Sequence, residues 1–216
     1  MRFAGGLNSR RFYADGGKLG DILNAFRRLE YRDPAADLRS LREVERWMVG
    51  KGGDPKVRTL RTAGLKPYRE WRDAALFCYG MGQVYGVPIL YAPTEHSDYD
   101  FVATWVEDQT QNYCPVQLKE LVPAELNPNA SASDILKAVR EKYTPSDTVL
   151  AVNLNREGRF DFSELSFDGM PFREVWFFWA AAPGGNEWAI QGDMLGKPTR
   201  KLFTYPNGDE EMKKAR

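Results

Sequence analysis

Three residues of this chain have types and a spacing suited to phosphodiester chemistry. Asp100 opens the segment DFVATWV, and Gln117 and Lys119 stand two apart in the segment YCPVQLKELV. Both segments are short and rich in Val, Tyr, Trp and Leu, the composition of β-strands. Side chains two apart on a strand project from the same face, and neighbouring strands run about 4.8 Å apart. A compatible register therefore brings Asp100, Gln117 and Lys119 into one cluster. A hard cation such as Mg²⁺ or Mn²⁺ is held by oxygen ligands, and often by only one or two carboxylates plus water and phosphate. Asp100 is the expected principal ligand and Gln117 a second through its carbonyl oxygen. Lys119 is the cation that orients or deprotonates the attacking water, or stabilises charge on the phosphate.

The elements around the cluster follow from hydrophobic periodicity. Upstream, YREWRDAALFCYGMGQVYG reads as a helix that becomes increasingly apolar, with Gly80, Gly82 and Gly86 marking its fraying end. PILYAP and DFVATWV form a hairpin across the polar segment Thr94–Asp98. YCPVQLKELV gives a third strand, and Pro115 is expected at its start or at an edge rather than in its middle. Ser131 or Ser133 caps a helix over SDILKAVREKY, with Ile135, Leu136, Val139 and Tyr143 facing inward. The almost wholly apolar DTVLAVNLN is a buried strand after it, so this helix is a crossover onto the sheet. EVWFFWAA, EWAIQGD and KLFTY are further strands whose place in the sheet is left open.

Two amphipathic helices precede this region. One, over DILNAFRRLE, carries the stripe Ile22, Leu23, Phe26 and Leu29. The other starts at Pro34 with Asp33 as its N-cap, presents Leu38, Leu41, Val44, Trp47 and Met48, and ends at Gly50. The Gly/Ser/Arg-rich first fourteen residues read as an arm, KGGDPKVRTLRTAGLKP as a linker or surface loop, and EEMKKAR as a solvated tail. The fold class is thus α/β with a mixed central sheet. An N-terminal arm and basic helices (1–66) precede a core with a C-terminal strand extension (67–216).

The succession SDYD, DFVATW and PVQLKEL resembles the Asp…(D/E/Q)xK signature of the PD-(D/E)xK, or restriction-endonuclease-like, nuclease superfamily. The element order from about residue 68 to 155 is similar to that superfamily's αβββαβ core. The resemblance implies a magnesium- or manganese-dependent endonuclease acting on DNA, with Asp100, Gln117 and Leu118 as the metal-holding positions. It also implies that a glutamate on the helix before the first strand completes the site, and Glu70 is that residue here. Tyr99 stands where the signature has proline, and Gln117 where an acid is commoner. Nucleases of this type often cut both strands as dimers, so the resemblance allows a homodimer.

Each residue also has a plainer role open to it. Asp100 can end a turn, Lys119 can protect a strand edge, and Gln117 can be an ordinary sheet-surface polar group. Glu70 can pair with Arg69 or Arg72. His96, the only histidine, can help position a water or phosphate or be an idle loop residue.

The bulk properties exclude some classes. With 43% apolar and 13% aromatic residues the chain is not globally disordered. No apolar run approaches the roughly 18 residues that span a bilayer, and the N-terminus does not read as a signal peptide, so a cytoplasmic protein is expected. Cys78 and Cys114 have neither zinc-site spacing nor disulfide density and are expected to be buried thiols. The aromatics of the later strands are expected in the core.

Net charge is zero, yet residues 1–70 carry 16 Lys and Arg against 9 Asp and Glu, whereas residues 71–216 carry 14 against 21. That polarity, with Arg10, Arg11, Arg27 and Arg28 on the arm and first helix, suits a grip on phosphate backbone. Two other functions fit the same residues. One is a nuclease-fold protein without catalysis that binds nucleic acid or a protein partner, and the other is a partner protein whose acidic half mimics nucleic acid.

Overall fold

The computed structural model describes residues 16–50, 60–61 and 63–206. The expected arm, including Arg10 and Arg11, most of the linker and the C-terminal tail lie outside them. The chain is mixed α/β. Its seven strands form one sheet in sequence order: β1 (Leu90–Pro93), β2 (Phe101–Glu107), β3 (Thr110–Leu121), β4 (Val149–Leu154), β5 (Glu174–Ala180), β6 (Glu187–Gly192) and β7 (Thr199–Thr204). The first three strands are an antiparallel meander, β3, β4 and β5 are parallel, and β6 and β7 return antiparallel. The three late segments therefore close the far side of the sheet, β5 beside β4.

Two helices cover one face. α2 (Pro34–Gly50) and α3 (Lys66–Tyr85) pack Leu38, Ala75, Leu76 and Phe77 against Phe101, Val116, Ala151 and Phe178. α4 (Ala132–Lys142) covers the opposite face with Leu136 and Val139 on Leu150, Val152 and Phe177. It links two parallel strands, as a crossover must. α1 (Gly16–Arg27) lays Phe26 on Val102 and Tyr113 near the other end of that face.

Local chemistry explains most boundaries. Asp33 Oδ1 accepts the Ala35 N–H at 2.8 Å and starts α2, and Ser131 Oγ accepts the Asp134 N–H at 3.1 Å and starts α4. Arg32 and Tyr91 exchange backbone hydrogen bonds, seating the approach to α2 on the outer edge of β1. At the other end of the chain, the Tyr205 hydroxyl donates to the Leu38 carbonyl at 2.8 Å inside the core.

Three expectations are corrected. Gly80 and Gly82 lie within α3, and only Gly86, with φ 73°, ends it. Gly80 is a packing residue, because a Cβ there would stand 2.7 Å from Phe203 Cε1. The apolar stripe of α2 is buried only at Leu38, and Val44 and Trp47 are 44% and 66% exposed, since α2 packs chiefly on α3 rather than on the strands. Pro115 is in the middle of β3, but there β3 has β2 on one side only, since pairing with β4 begins at Val116. Its missing N–H leaves no ladder bond unmade on that side. Cys78 is buried, Cys114 half-buried, and both are free. Of the late aromatics, Trp176, Phe177 and Phe178 are core, while Trp179 and Trp188 are only partly buried.

Candidate active site

The site forms where two paired strands part company. β3 has twelve residues but pairs with β2 only from Thr110 to Val116, and beyond that only its β4 side is laddered. Backbone groups on the open edge need other partners. Asp100, immediately before β2, supplies one: its Oδ2 accepts the Leu118 N–H at 2.6 Å, and its own N–H donates to the Val116 carbonyl at 2.9 Å. The Gln117 amide nitrogen also donates to Asp100 Oδ2, and to the Leu118 carbonyl at 3.1 Å.

Gln117 is 4% exposed, and its other amide atom is occupied too: Oε1 accepts the Tyr143 hydroxyl at 2.8 Å. Tyr143 closes α4, and its oxygen receives the Lys119 ammonium at 3.4 Å. The period of two on β3 thus places Gln117 and Lys119 on one face, with Tyr143 bridging them. Asp100, Leu118 and Lys119 line a cleft of about 100 Å³ whose opposite wall is Arg69, Glu70 and Asp73 from α3, with Glu120 beside them.

The sequence-predicted residues therefore fall in one neighbourhood with different duties. Asp100, Lys119, Leu118 and Glu70 face the cleft. Gln117 does not line it, and its carbonyl oxygen, the expected metal ligand, is engaged by Tyr143. As arranged, Gln117 orients Asp100. Glu70 pairs with Lys66 at 3.4 Å, rather than with Arg69 or Arg72, and is about half exposed. His96 lies on the β1–β2 connection, its ring stacked on Tyr99 at 4.1 Å and its Nδ1 accepting the Asp98 N–H.

Burial pushes the Asp100 carboxyl up from its ordinary value, against the Leu118 N–H and the Lys119 charge, which favour the ionised form; the Glu70 charge adds to the rise. Asp73 is raised as well, first by burial, although Arg72 opposes it.

Residues the motif did not indicate complete the surroundings. Glu120 is held by Arg61, by Arg69 at 3.7 Å and by Asn155 at 2.8 Å. One helical turn further on, Arg72 lies between Asp73 at 3.5 Å and Glu45 at 3.7 Å. Asp73, three residues after Glu70, could have been found by helical periodicity. Tyr143 gave no signal, because its ring belongs to the apolar stripe of α4 and only its hydroxyl reaches the site.

No group of three or more His, Cys, Asp or Glu side chains converges on one point among the described residues. Asp100 and Glu70 are nonetheless two carboxylates on opposite walls of one cleft, and no hydrogen bond from a described residue falls on Asp100 Oδ1. That donor set fits a cation that keeps most of its water. Comparison with protein-family models, curated proteins and solved structures found no match.

Proposed function

We propose that the Asp100 cleft hydrolyses phosphodiester bonds, with DNA as the substrate and Mg²⁺ or Mn²⁺ as the cofactor. The observation that carries the reading is Asp100, pinned at the parting of β2 and β3 by Leu118 and Gln117, with Lys119 and Glu70 lining the same cleft. The resemblance to PD-(D/E)xK nucleases supports it through the same residues, and so does the element order α3, β1, β2, β3, α4, β4.

The division of labour follows from the contacts. Asp100 and Glu70 would hold the cation, which supplies charge neutralisation and a more acidic bound water. Gln117 and the Leu118 N–H fix the Asp100 carboxylate through Oδ2 and leave its other oxygen for that task. Lys119 is the cation of the site. Its ammonium rests on the Tyr143 hydroxyl at 3.4 Å, from which it can turn to a phosphate oxygen or to the attacking water. Tyr143 acts through Lys119 and Gln117 and is a positioning residue.

One observation favours a second reading, a module of this fold that binds nucleic acid or a partner without cutting. Gln117 stands in the place of an acid and spends its carbonyl oxygen on Tyr143. The deciding experiment is cleavage of plasmid and linear DNA by purified protein with Mg²⁺ or Mn²⁺, beside folded Asp100→Ala and Lys119→Ala. Cutting by the wild type and its loss in both variants, by roughly 10²- to 10⁴-fold, is the expected result. A wild type inert across metals and substrates, or variants that cut equally well, sinks the catalytic reading.

A further inference from the structure

Glu70 on one wall of the cleft and Asp100 and Leu118 on the other are shared with a second space. The same residues bound a neighbouring hollow of about 320 Å³, completed by Pro67 and Trp71 from the start of α3 and by Pro93, Thr94, Glu95 and Phe101 around the β1–β2 connection. Small-molecule sites begin at roughly this size, about 300 Å³. A hollow of this volume takes one nucleoside.

Its chemistry suits a nucleobase. Trp71 is half-buried, with the Arg32 guanidinium 5.1 Å from its ring centre and the Tyr68 ring edge-on at 5.3 Å, so the indole is braced as a flat platform. Arg32 is itself fixed by a two-pronged pair with Asp37 at 2.6 and 2.8 Å. Thr94 Oγ1 is buried and has no hydrogen-bond partner. A buried hydroxyl without a partner is costly, and a ligand that bonds it removes that cost. Glu95, an acceptor only when ionised, offers a partner to base N–H groups. Pro67, the second residue of α3, brings its ring to the same rim.

Position turns these features into a substrate preference. The Thr94 N–H donates to the Asp100 carbonyl at 3.0 Å, tying the hollow's rim to the residue at the centre of the cleft. The two spaces share Glu70, Asp100 and Leu118, so a nucleotide adjoining a phosphate at Asp100 lies within reach of this hollow, and a base can turn into it only when it is out of the duplex stack. We propose that this hollow is a subsite for an unpaired nucleotide beside the scissile phosphate, and that the substrate is single-stranded DNA or a frayed duplex end rather than intact double helix. The inference rests on the nuclease reading of the adjoining cleft.

The test separates the two. A fluorescently labelled single-stranded oligonucleotide and a hairpin duplex of related sequence are titrated at fixed salt without divalent metal, with wild type, Trp71→Ala, Trp71→Phe and Thr94→Val, and the same DNAs are assayed for cleavage with Mg²⁺ and Mn²⁺. The expected result is tighter binding and faster cutting of the single strand. Trp71→Ala should lose roughly 5- to 100-fold in single-strand affinity, the range for loss of one stacked base, with Trp71→Phe keeping most of it. Cutting of intact duplex as fast as single strand, with the ratio unmoved in Trp71→Ala, overturns the subsite and leaves the nuclease reading in place. Selective, Trp71-dependent single-strand binding without cleavage under any metal upholds the subsite and removes the nuclease reading. If Trp71→Ala does not fold, Thr94→Val decides, because unchanged discrimination between the two DNAs overturns the proposal.

Discussion

Lys119 and Glu120 are neighbours in β3, yet their surroundings are opposite in kind. Glu120 is saturated by Arg61, Arg69 and Asn155, drawn from three separate parts of the chain. Lys119 has one long hydrogen bond to a tyrosine, and the carboxylate it serves, Asp100, is raised by burial rather than settled by an ion pair within 4.0 Å among the described residues. A fully partnered buried charge locks elements together, and a charge kept short of partners is free to act on something else. The Glu120 side joins α3 to β3 and β4. The Asp100 side, within the same cleft, has no such lock among the described residues.

The sharpest way to break this contrast is Asp100→Asn. Under the nuclease reading its cleavage should fall by about 10³-fold, as for loss of a group that acts in the transition state, whereas its stability at neutral pH should rise. The folded-state pKa of Asp100 lies above its unfolded value, so the stability tied to the neutral form is complete at low pH and is lost as pH climbs through the folded value. Chemical denaturation from pH 3 to 7 should therefore show the variant and wild type converging in acid and the variant ahead at neutrality. A variant that is less stable at pH 7 would make Asp100 a structural residue.

Glu120→Gln should do the reverse. Leaving Arg61 and Arg69 short of their carboxylate in a mostly buried site should cost on the order of 2 kcal/mol, read from the denaturation midpoint. A loss below about 0.5 kcal/mol, the range of an ordinary surface substitution, would show that the network is not a lock.

Tyr143→Phe tests the bridge between the two kinds of residue. It keeps the ring on α4 and removes the hydroxyl from both Gln117 and Lys119, so stability should drop by about 1 kcal/mol. Under the nuclease reading turnover should fall about tenfold through looser positioning, with little change in KM and a pH profile displaced from that of wild type. Unchanged turnover and profile would confine Tyr143 to the core. The smallest change belongs to Trp47→Ala on the exposed side of α2, expected within about 0.5 kcal/mol of wild type.

The sequence disclosed the elements better than their surroundings. Capping at Asp33 and Ser131, the hairpin and the crossover helix are local chemistry, and periodicity reports them faithfully. Whether a stripe is covered depends on what packs against it, and α2 lies chiefly on α3, so Val44 and Trp47 belong to an apolar stripe yet are exposed. Pro115 misled for a related reason: the rule concerns a ladder partner, and the absence of β4 beside it is a fact of register that the segment itself does not carry. At the site, residue types and a spacing of two brought Asp100, Gln117 and Lys119 together. Which atom of Gln117 faces Asp100 depends on Tyr143, 26 residues further along, and no pattern within β3 could reveal it.

The bond from Tyr205 to the Leu38 carbonyl reaches across 167 positions of the chain. During synthesis α2 emerges early, but its seat is finished only when the end of β7 arrives, together with Phe203 against Gly80 of α3. α2 and the segment around Tyr205 thus wait for each other. A ribosome stalled before residue 200 would hold a chain with the Asp100 cleft's strands already made and one flank of its helical layer still open to solvent.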